Sequence, residues 1–281
     1  MLLLGLALAM GPDSAFVLHA TGGLTASTET GFEPLLRHDP IPLGSTVCTG
    51  SDARATLRLA TQCSADGLRN DDVFLAPNTC VLLEEAHNDV DGRTTRLRVL
   101  QGELMVSENR AGGTIAIRTD AGSTTGRGGG FRVTVEDDGM RSEALHAPVD
   151  VEAQGVTVAL AAGQGSRTVH GEAPGAPVDL LAPGTPTRPD VDAMLIRADF
   201  AWTDVKGALG YRVEFAADPD FTEILWSEDV AGSPWHPAVL MLPWGTSASL
   251  HWRLSSFDRL GFLGIPSAGR SLKLPAVSLG D

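Results

Sequence analysis

Phe131-Arg132-Val133-Thr134-Val135-Glu136-Asp137-Asp138-Gly139 is the stretch that decides the fold class. Phe131, Val133 and Val135 alternate with polar residues. Successive strand side chains point to opposite faces, so this run has one apolar and one polar side. Asp138-Gly139 marks a tight turn into the next run, because glycine accepts the positive φ that hairpin turns demand. The stretch predicts an antiparallel hairpin, buried on one face and wetted on the other.

The same pattern continues outward in both directions. Leu57/Leu59, Leu97/Val99, Leu104/Val106, Ile115/Ile117 and Val156/Val158/Leu160 all alternate with polar or small residues. Turn formers bound these runs, as in Thr49-Gly50-Ser51-Asp52, Gln101-Gly102 and Ala111-Gly112-Gly113. No stretch sustains a helical period. The reading is all-β, with residues 16–170 forming an antiparallel domain, either a jelly roll or a β-sandwich.

From 171 to 189 the texture changes to Glu172-Ala173-Pro174-Gly175-Ala176-Pro177 and Ala182-Pro183-Gly184-Thr185-Pro186-Thr187-Arg188-Pro189. Such proline-punctuated sequence has little to bury and predicts an extended, semi-rigid linker. Alternation then returns in aromatic form: Phe200 and Trp202; Tyr211, Val213 and Phe215; Leu250, Trp252 and Leu254; Leu272 and Leu274. Short strands separated by Asp218-Pro219-Asp220 and Pro243-Trp244-Gly245 predict a small immunoglobulin-like β-sandwich over 190–281. A length of 281 residues accommodates two such domains.

The net charge of -14, from 21 basic and 35 acidic residues, argues against nucleic acid and anionic lipid surfaces as partners. Both reward clustered positive charge. Residues 1–15 open with the apolar run Met1-Leu2-Leu3-Leu4-Gly5-Leu6-Ala7-Leu8-Ala9-Met10. It has the length of a secretory signal and falls short of the roughly 20 residues of a membrane span. It lacks a basic leader, so the signal is atypical or the true start lies upstream. No other segment is long and apolar enough to span a bilayer, and the expectation is an exported protein.

Cys48, Cys63 and Cys80 have neither the C-x-x-C spacing nor the clustered histidines of a zinc site. In an exported protein one disulfide and one free thiol follow. Cys63–Cys80 is the first candidate pairing, across the polar loop from Ser64 to Asp72, and Cys48–Cys80 is the alternative.

Several ordered motifs carry a family resemblance. Thr49-Gly50-Ser51-Asp52-Ala53-Arg54-Ala55-Thr56-Leu57-Arg58-Leu59, Leu75-Ala76-Pro77-Asn78-Thr79 and Leu97-Arg98-Val99-Leu100-Gln101-Gly102 resemble successive signatures of the FecR domain. Arg118-Thr119-Asp120-Ala121-Gly122 and Arg127-Gly128-Gly129-Gly130-Phe131-Arg132-Val133 resemble its T-P-A-G…R-G-T-x-F-x-V segment, with Asp120 and Gly129 departing from it. The second domain resembles a fibronectin type III-like module through Phe200-Ala201-Trp202, Tyr211-Arg212-Val213 and His251-Trp252-Arg253-Leu254. The resemblance implies a periplasmic or secreted binding and signalling module contacting other envelope proteins. The alternative is a structural envelope protein engaging peptidoglycan or another glycan.

Nothing in the sequence points to catalysis, a cofactor or a metal. No G-x-S-x-G elbow occurs, and the seven histidines are scattered without H-E-x-x-H spacing. Asn88-Asp89-Val90-Asp91-Gly92 resembles half a calcium loop but reads better as a polar turn. Gly126-Arg127-Gly128-Gly129-Gly130 enters a strand instead of a helix, which predicts close backbone approach and no phosphate cradle. Trp235, in Ser233-Pro234-Trp235-His236-Pro237, and Trp244, in Leu242-Pro243-Trp244-Gly245, occupy turn-like contexts outside the alternating runs. Flanking prolines would hold these rings in place, making them candidate partner-binding residues.

Overall fold

The structure, a computed structural model, describes residues 15–28, 31–59, 71–89, 92–107, 113–194, 199–237 and 249–274. No helix occurs among them. The chain begins with β1 (Ala15–Thr21), β2 (Leu24–Thr28), β3 (Gly31–Pro34), β4 (Pro40–Ile41), β5 (Thr46–Thr49) and β6 (Arg54–Leu59). Next come β7 (Asp71–Leu75), β8 (Cys80–Asp89), β9 (Gly92–Val106), β10 (Thr114–Arg118), β11 (Ser123–Gly126) and β12 (Phe131–Glu136). β13 (Gly139–Ala144), β14 (Val149–Ala153), β15 (Val156–Leu160), β16 (Gln164–Val169) and β17 (Val178–Asp179) complete the first domain.

These strands form two facing sheets that share β9. Sheet 1 runs β4-β1-β6-β7-β9-β12-β13-β16-β17, antiparallel throughout. Sheet 2 runs β3-β2-β5-β8-β9-β10-β11-β14-β15, with β9–β10 parallel. β9 belongs to sheet 2 from Gly92 to Gln101 and to sheet 1 from Gly102 to Val106. Gly102 sits at the crossing with φ +86°, where a Cβ would lie 2.6 Å from the Thr79 Cα. Only glycine fits that corner. Between the sheets, Val17, Leu57, Val73, Leu104, Phe131 and Val133 meet Val81, Leu97, Val99, Ile115, Ile117 and Val151 in one continuous core. The fold is an all-β sandwich.

The hairpin read from Phe131–Gly139 is present, for a different physical reason. β12 and β13 pair from Phe131↔Ala144 to Glu136↔Gly139, leaving Asp137-Asp138 as the turn. Gly139 is the first residue of β13, and its φ is not positive. It is small because a Cβ there would collide with the Thr168 carbonyl on neighbouring β16. The Gly126–Gly130 stretch is likewise a close approach: Gly128 and Gly129 have φ +80° and +78°, and a Cβ on Gly129 would collide with Ala147.

The first-choice cysteine pairing is corrected. Cys48 bonds to Cys80, and Cys63 lies outside the described residues. The ladder decides it. β5 and β8 are neighbours in sheet 2 with Cys48 directly opposite Cys80, their Cα atoms 4.2 Å apart. A sequence reading without the strand order could not place those two residues face to face. The bridge closes a 32-residue separation, worth about 4 kcal/mol in the chain-entropy model. Cys80→Ala is therefore expected to lower unfolding free energy by about 3–4 kcal/mol in denaturant titrations. Non-reducing peptide mapping of exported protein should recover the Cys48–Cys80 linkage, and three free thiols would contradict it.

The proline-rich stretch 171–189 is tied down along its length. Gly175 N–H donates to the Arg167 carbonyl, and the Gly175 carbonyl accepts from Ser166 Oγ. β17 then pairs with β16, and Leu180 is buried. The composition signalled an extended path but not these partners, which are the open edge of sheet 1.

The second domain follows: β18 (Pro186–Arg188), β19 (Ala193–Met194), β20 (Ala201–Trp202), β21 (Gly210–Ala216), β22 (Ile224–Val230), β23 (Ser249–Phe257) and β24 (Arg270–Lys273). One sheet runs β19-β24-β23-β21-β22, and β18 pairs with β20 in a second small ladder. Phe200, Trp202, Tyr211, Val213, Phe215, Leu250, Trp252 and Leu254 form the core between them.

Candidate functional site

The outer face of sheet 1 carries the polar half of each alternating run: Arg54, Thr56 and Arg58 on β6, Asp72 on β7, Glu103 on β9, Arg132 on β12, Arg141 and Glu143 on β13. Much of this face is covered by the second domain. Phe74, Ala76, Met105 and Leu145 of the first domain pack with Leu180, Ala216, Phe221, Ile224 and Phe262 in one apolar cluster. The covering side of β21 is Arg212, Glu214 and Ala216, while Tyr211, Val213 and Phe215 serve the second core.

Polar groups trapped in this junction find partners across it. Arg54 Nη2 donates to the Ser227 carbonyl at 3.0 Å and to Ser227 Oγ at 2.9 Å. Thr56 Oγ1 donates to the Thr222 carbonyl. Arg132, 2% exposed, donates from Nη1 to the Leu263 carbonyl at 2.9 Å, with Glu103 at 3.5 Å and Glu143 at 3.7 Å. Glu143 Oε1 accepts from the Leu263 N–H at 3.2 Å, and Glu103 Oε1 accepts from Arg212 Nη1 at 2.6 Å.

The two carboxylates of this network behave differently. Burial pushes Glu143 up to about 7, because Arg132 only partly offsets the loss of water and the neighbouring Glu103 charge works against ionisation. Burial also opposes charge on Glu103, but Arg212 and Arg132 together outweigh it and hold that carboxyl below the usual glutamate range. Glu103 is thus the permanent anion of the junction, and Glu143 takes up or releases its proton near neutrality.

Beside this network lies a cleft of about 310 Å³ lined by both domains. Asp72, Met105 and His146 come from the first domain; Phe221, Thr222 and Arg253 come from the second. Arg58 grips Asp72 through two 2.7 Å hydrogen bonds. Arg253 donates Nε to Glu214 at 2.7 Å and lies 4.1 Å above the Phe221 ring. Asp72 and Arg253 are thus committed to partners within the fold, so the cleft presents fixed polar groups and an apolar wall suited to recognition. Among the described residues, no group of three or more His, Cys, Asp or Glu side chains is placed to hold a metal ion. Nor is any helix long and apolar enough to cross a membrane.

The structure places Trp235 outside this cleft, packed against the second core. Its backbone exchanges both hydrogen bonds with Phe200, at 3.0 and 2.8 Å, and its ring stacks on Trp226 at 5.7 Å. It is half-buried against Phe200 and Phe215. Trp244 lies outside the described residues. The junction residues escaped sequence reading because their polar alternation looks the same whether water or another domain covers it. One signal was present: a two-residue turn at Asp137-Asp138 puts Arg132 directly opposite Glu143.

No family model matches the chain. No curated protein matches it either. Among solved structures, two crystal structures of a protein described as a putative anti-sigma factor from Parabacteroides distasonis ATCC 8503 are similar to it. Each is 14% identical and covers 48% of this chain and 59% of its own, with TM-scores of 0.35 and 0.36. The chain therefore spans 59% of the solved protein's length, at a likeness too low to carry an argument about function.

Proposed function

We propose that this chain is a non-catalytic periplasmic or secreted recognition module, a FecR-like domain followed by a fibronectin type III-like one, that contacts other envelope proteins. The observation that carries the reading is the junction. The second domain is docked over sheet 1 by an apolar cluster and cross-domain ion pairs, leaving a cleft whose walls come from both. Such a composite surface suits a partner that engages both domains at once. The Cys48–Cys80 bridge favours an oxidising compartment. A photo-crosslinker at Asp220, exposed on the cleft rim, is expected to capture a defined envelope protein in intact cells, whereas one at exposed Lys206 is not. Capture from neither position, with full-length protein recovered only from cytosol, would sink the reading.

The stacked Trp226–Trp235 pair supports a second reading, engagement of peptidoglycan or another glycan, since aromatic faces suit sugar rings. Sedimentation with purified peptidoglycan, without any crosslinked protein, would favour it.

A further inference from the structure

A sheet edge presents unpaired backbone groups, and natural proteins blunt it with brevity, charge, proline or a cover. Among the described residues, the sheet edges follow that rule with one exception. β4, β17 and β19 are two residues long, and β3 contains Glu33 and Pro34. β22 carries Glu228 and Asp229 and has Arg54 of the first domain bonded to Ser227. β15, at the end of sheet 2, is different. It reads Val156-Thr157-Val158-Ala159-Leu160, uncharged and free of proline, and among the described residues it pairs with β14 alone. Val156 is 45% exposed, and Thr157 and Ala159 are exposed as well.

The outward-facing backbone groups follow from the turn. β14 and β15 are joined by Gln154-Gly155, with φ +52° and +72°, the two positive values of a type I′ turn. Such a turn makes Ala153↔Val156 a hydrogen-bonded pair, and bonded and non-bonded pairs then alternate along the ladder. The N–H and C=O groups of Val156, Val158 and Leu160 therefore point to β14. Those of Thr157 and Ala159 point outward.

We propose that β15 is a self-docking edge: two copies of the chain pair their β15 strands antiparallel about a two-fold axis at Val158, joining sheet 2 of one molecule to that of the other. In this register Thr157 of each copy faces Ala159 of its partner, and each pair exchanges both hydrogen bonds. Val156 opposes Leu160, and Val158 opposes itself. A second copy is the occupant that the charge pattern selects. The chain carries a net charge of -14, yet this strand has no charge, so two β15 strands meet without repulsion along the edge itself. The nearest like charges are exposed Asp150 and Glu152, one strand back on β14. Their mutual repulsion across the axis makes the pairing salt-dependent.

Sedimentation velocity across protein concentrations up to about 1 mM, at about 0.05 and 0.5 M salt, tests this. The expected result is a monomer–dimer equilibrium that strengthens with salt, with the Thr157 and Ala159 amides gaining hydrogen-exchange protection in the dimer. Ala159→Pro removes one outward donor at an edge position that tolerates proline, and Thr157→Lys places a charge on the paired strand. Each should weaken dimerisation roughly tenfold or more while leaving the melting temperature in place. If Ala159→Pro disturbs folding, Thr157→Lys alone decides. A chain that stays monomeric throughout, or a dimer that survives Thr157→Lys unchanged, would overturn the proposal.

Discussion

Arg132→Ala is expected to lower unfolding free energy by about 3–5 kcal/mol, the usual loss when one partner of a buried ion pair is removed. Arg132 is almost fully buried, satisfies the Leu263 carbonyl, and faces both Glu103 and Glu143. Its removal leaves a carbonyl without its donor and Glu143 with Arg141 as its remaining neighbouring cation, while Glu103 keeps Arg212 at 2.6 Å. The side chain belongs to the first domain and the carbonyl to the second, so the loss should fall on docking as well as on either fold. Denaturant unfolding followed by tryptophan fluorescence, which reports the second domain, should separate from the first-domain disulfide region followed by hydrogen exchange. Adding Glu143→Gln to Arg132→Ala should recover part of the loss, because one buried negative charge disappears with its partner; the two substitutions are then non-additive. A loss under about 1 kcal/mol for Arg132→Ala would place the residue at a wet surface and dissolve the junction argument.

The strand pattern of this protein was legible because period-two alternation is a local property. Phe131/Val133, Leu104/Val106 and Leu57/Leu59 all point into the first core, as their spacing predicts. What alternation cannot state is what lies on the polar side. Arg132 and Thr56 read as wetted residues, yet both are buried, as is Glu143 opposite Arg132. Their burial depends on partners 120 to 166 residues later in the chain, and no local rule reaches that far. The cysteine pairing failed at the same level. Cys48 and Cys80 are neighbours only because β5 lies beside β8, a fact of strand order. Trp235 illustrates the opposite difficulty: its proline-flanked context suggested a displayed ring, while the structure gives it a backbone bridge to Phe200 and a stacking partner in Trp226.

Stability is expected to fall as pH rises from about 5 to 8, with Glu143 as the cause. Its carboxyl sits at about 7 in the folded protein, against 4.5 for an ordinary glutamate. A group with a raised folded pKa holds its proton more tightly when folded. Its contribution is complete below the unfolded value and is lost as pH climbs through the folded one. The difference corresponds to about 3 kcal/mol across that window. The groups facing Glu143 are Arg132 from β12, Glu103 from β9, Arg141 beside it on β13, and the Leu263 N–H from the second domain. Glu103, held below the usual range, loses its contribution only at more acid pH and leaves this window clear. His19 does not. Burial holds it below 6.5, despite Glu223 at 3.8 Å, so its contribution rises with pH across part of the same interval. The wild-type curve alone is therefore a sum of opposing slopes, and the comparison with Glu143→Gln isolates one of them. Glutamine keeps an acceptor for the Leu263 N–H and cannot ionise. Wild-type stability measured relative to this variant should drop by about 3 kcal/mol between pH 5 and 8. Parallel curves would show that Glu143 keeps one charge state throughout, with Arg132 balancing both carboxylates at once.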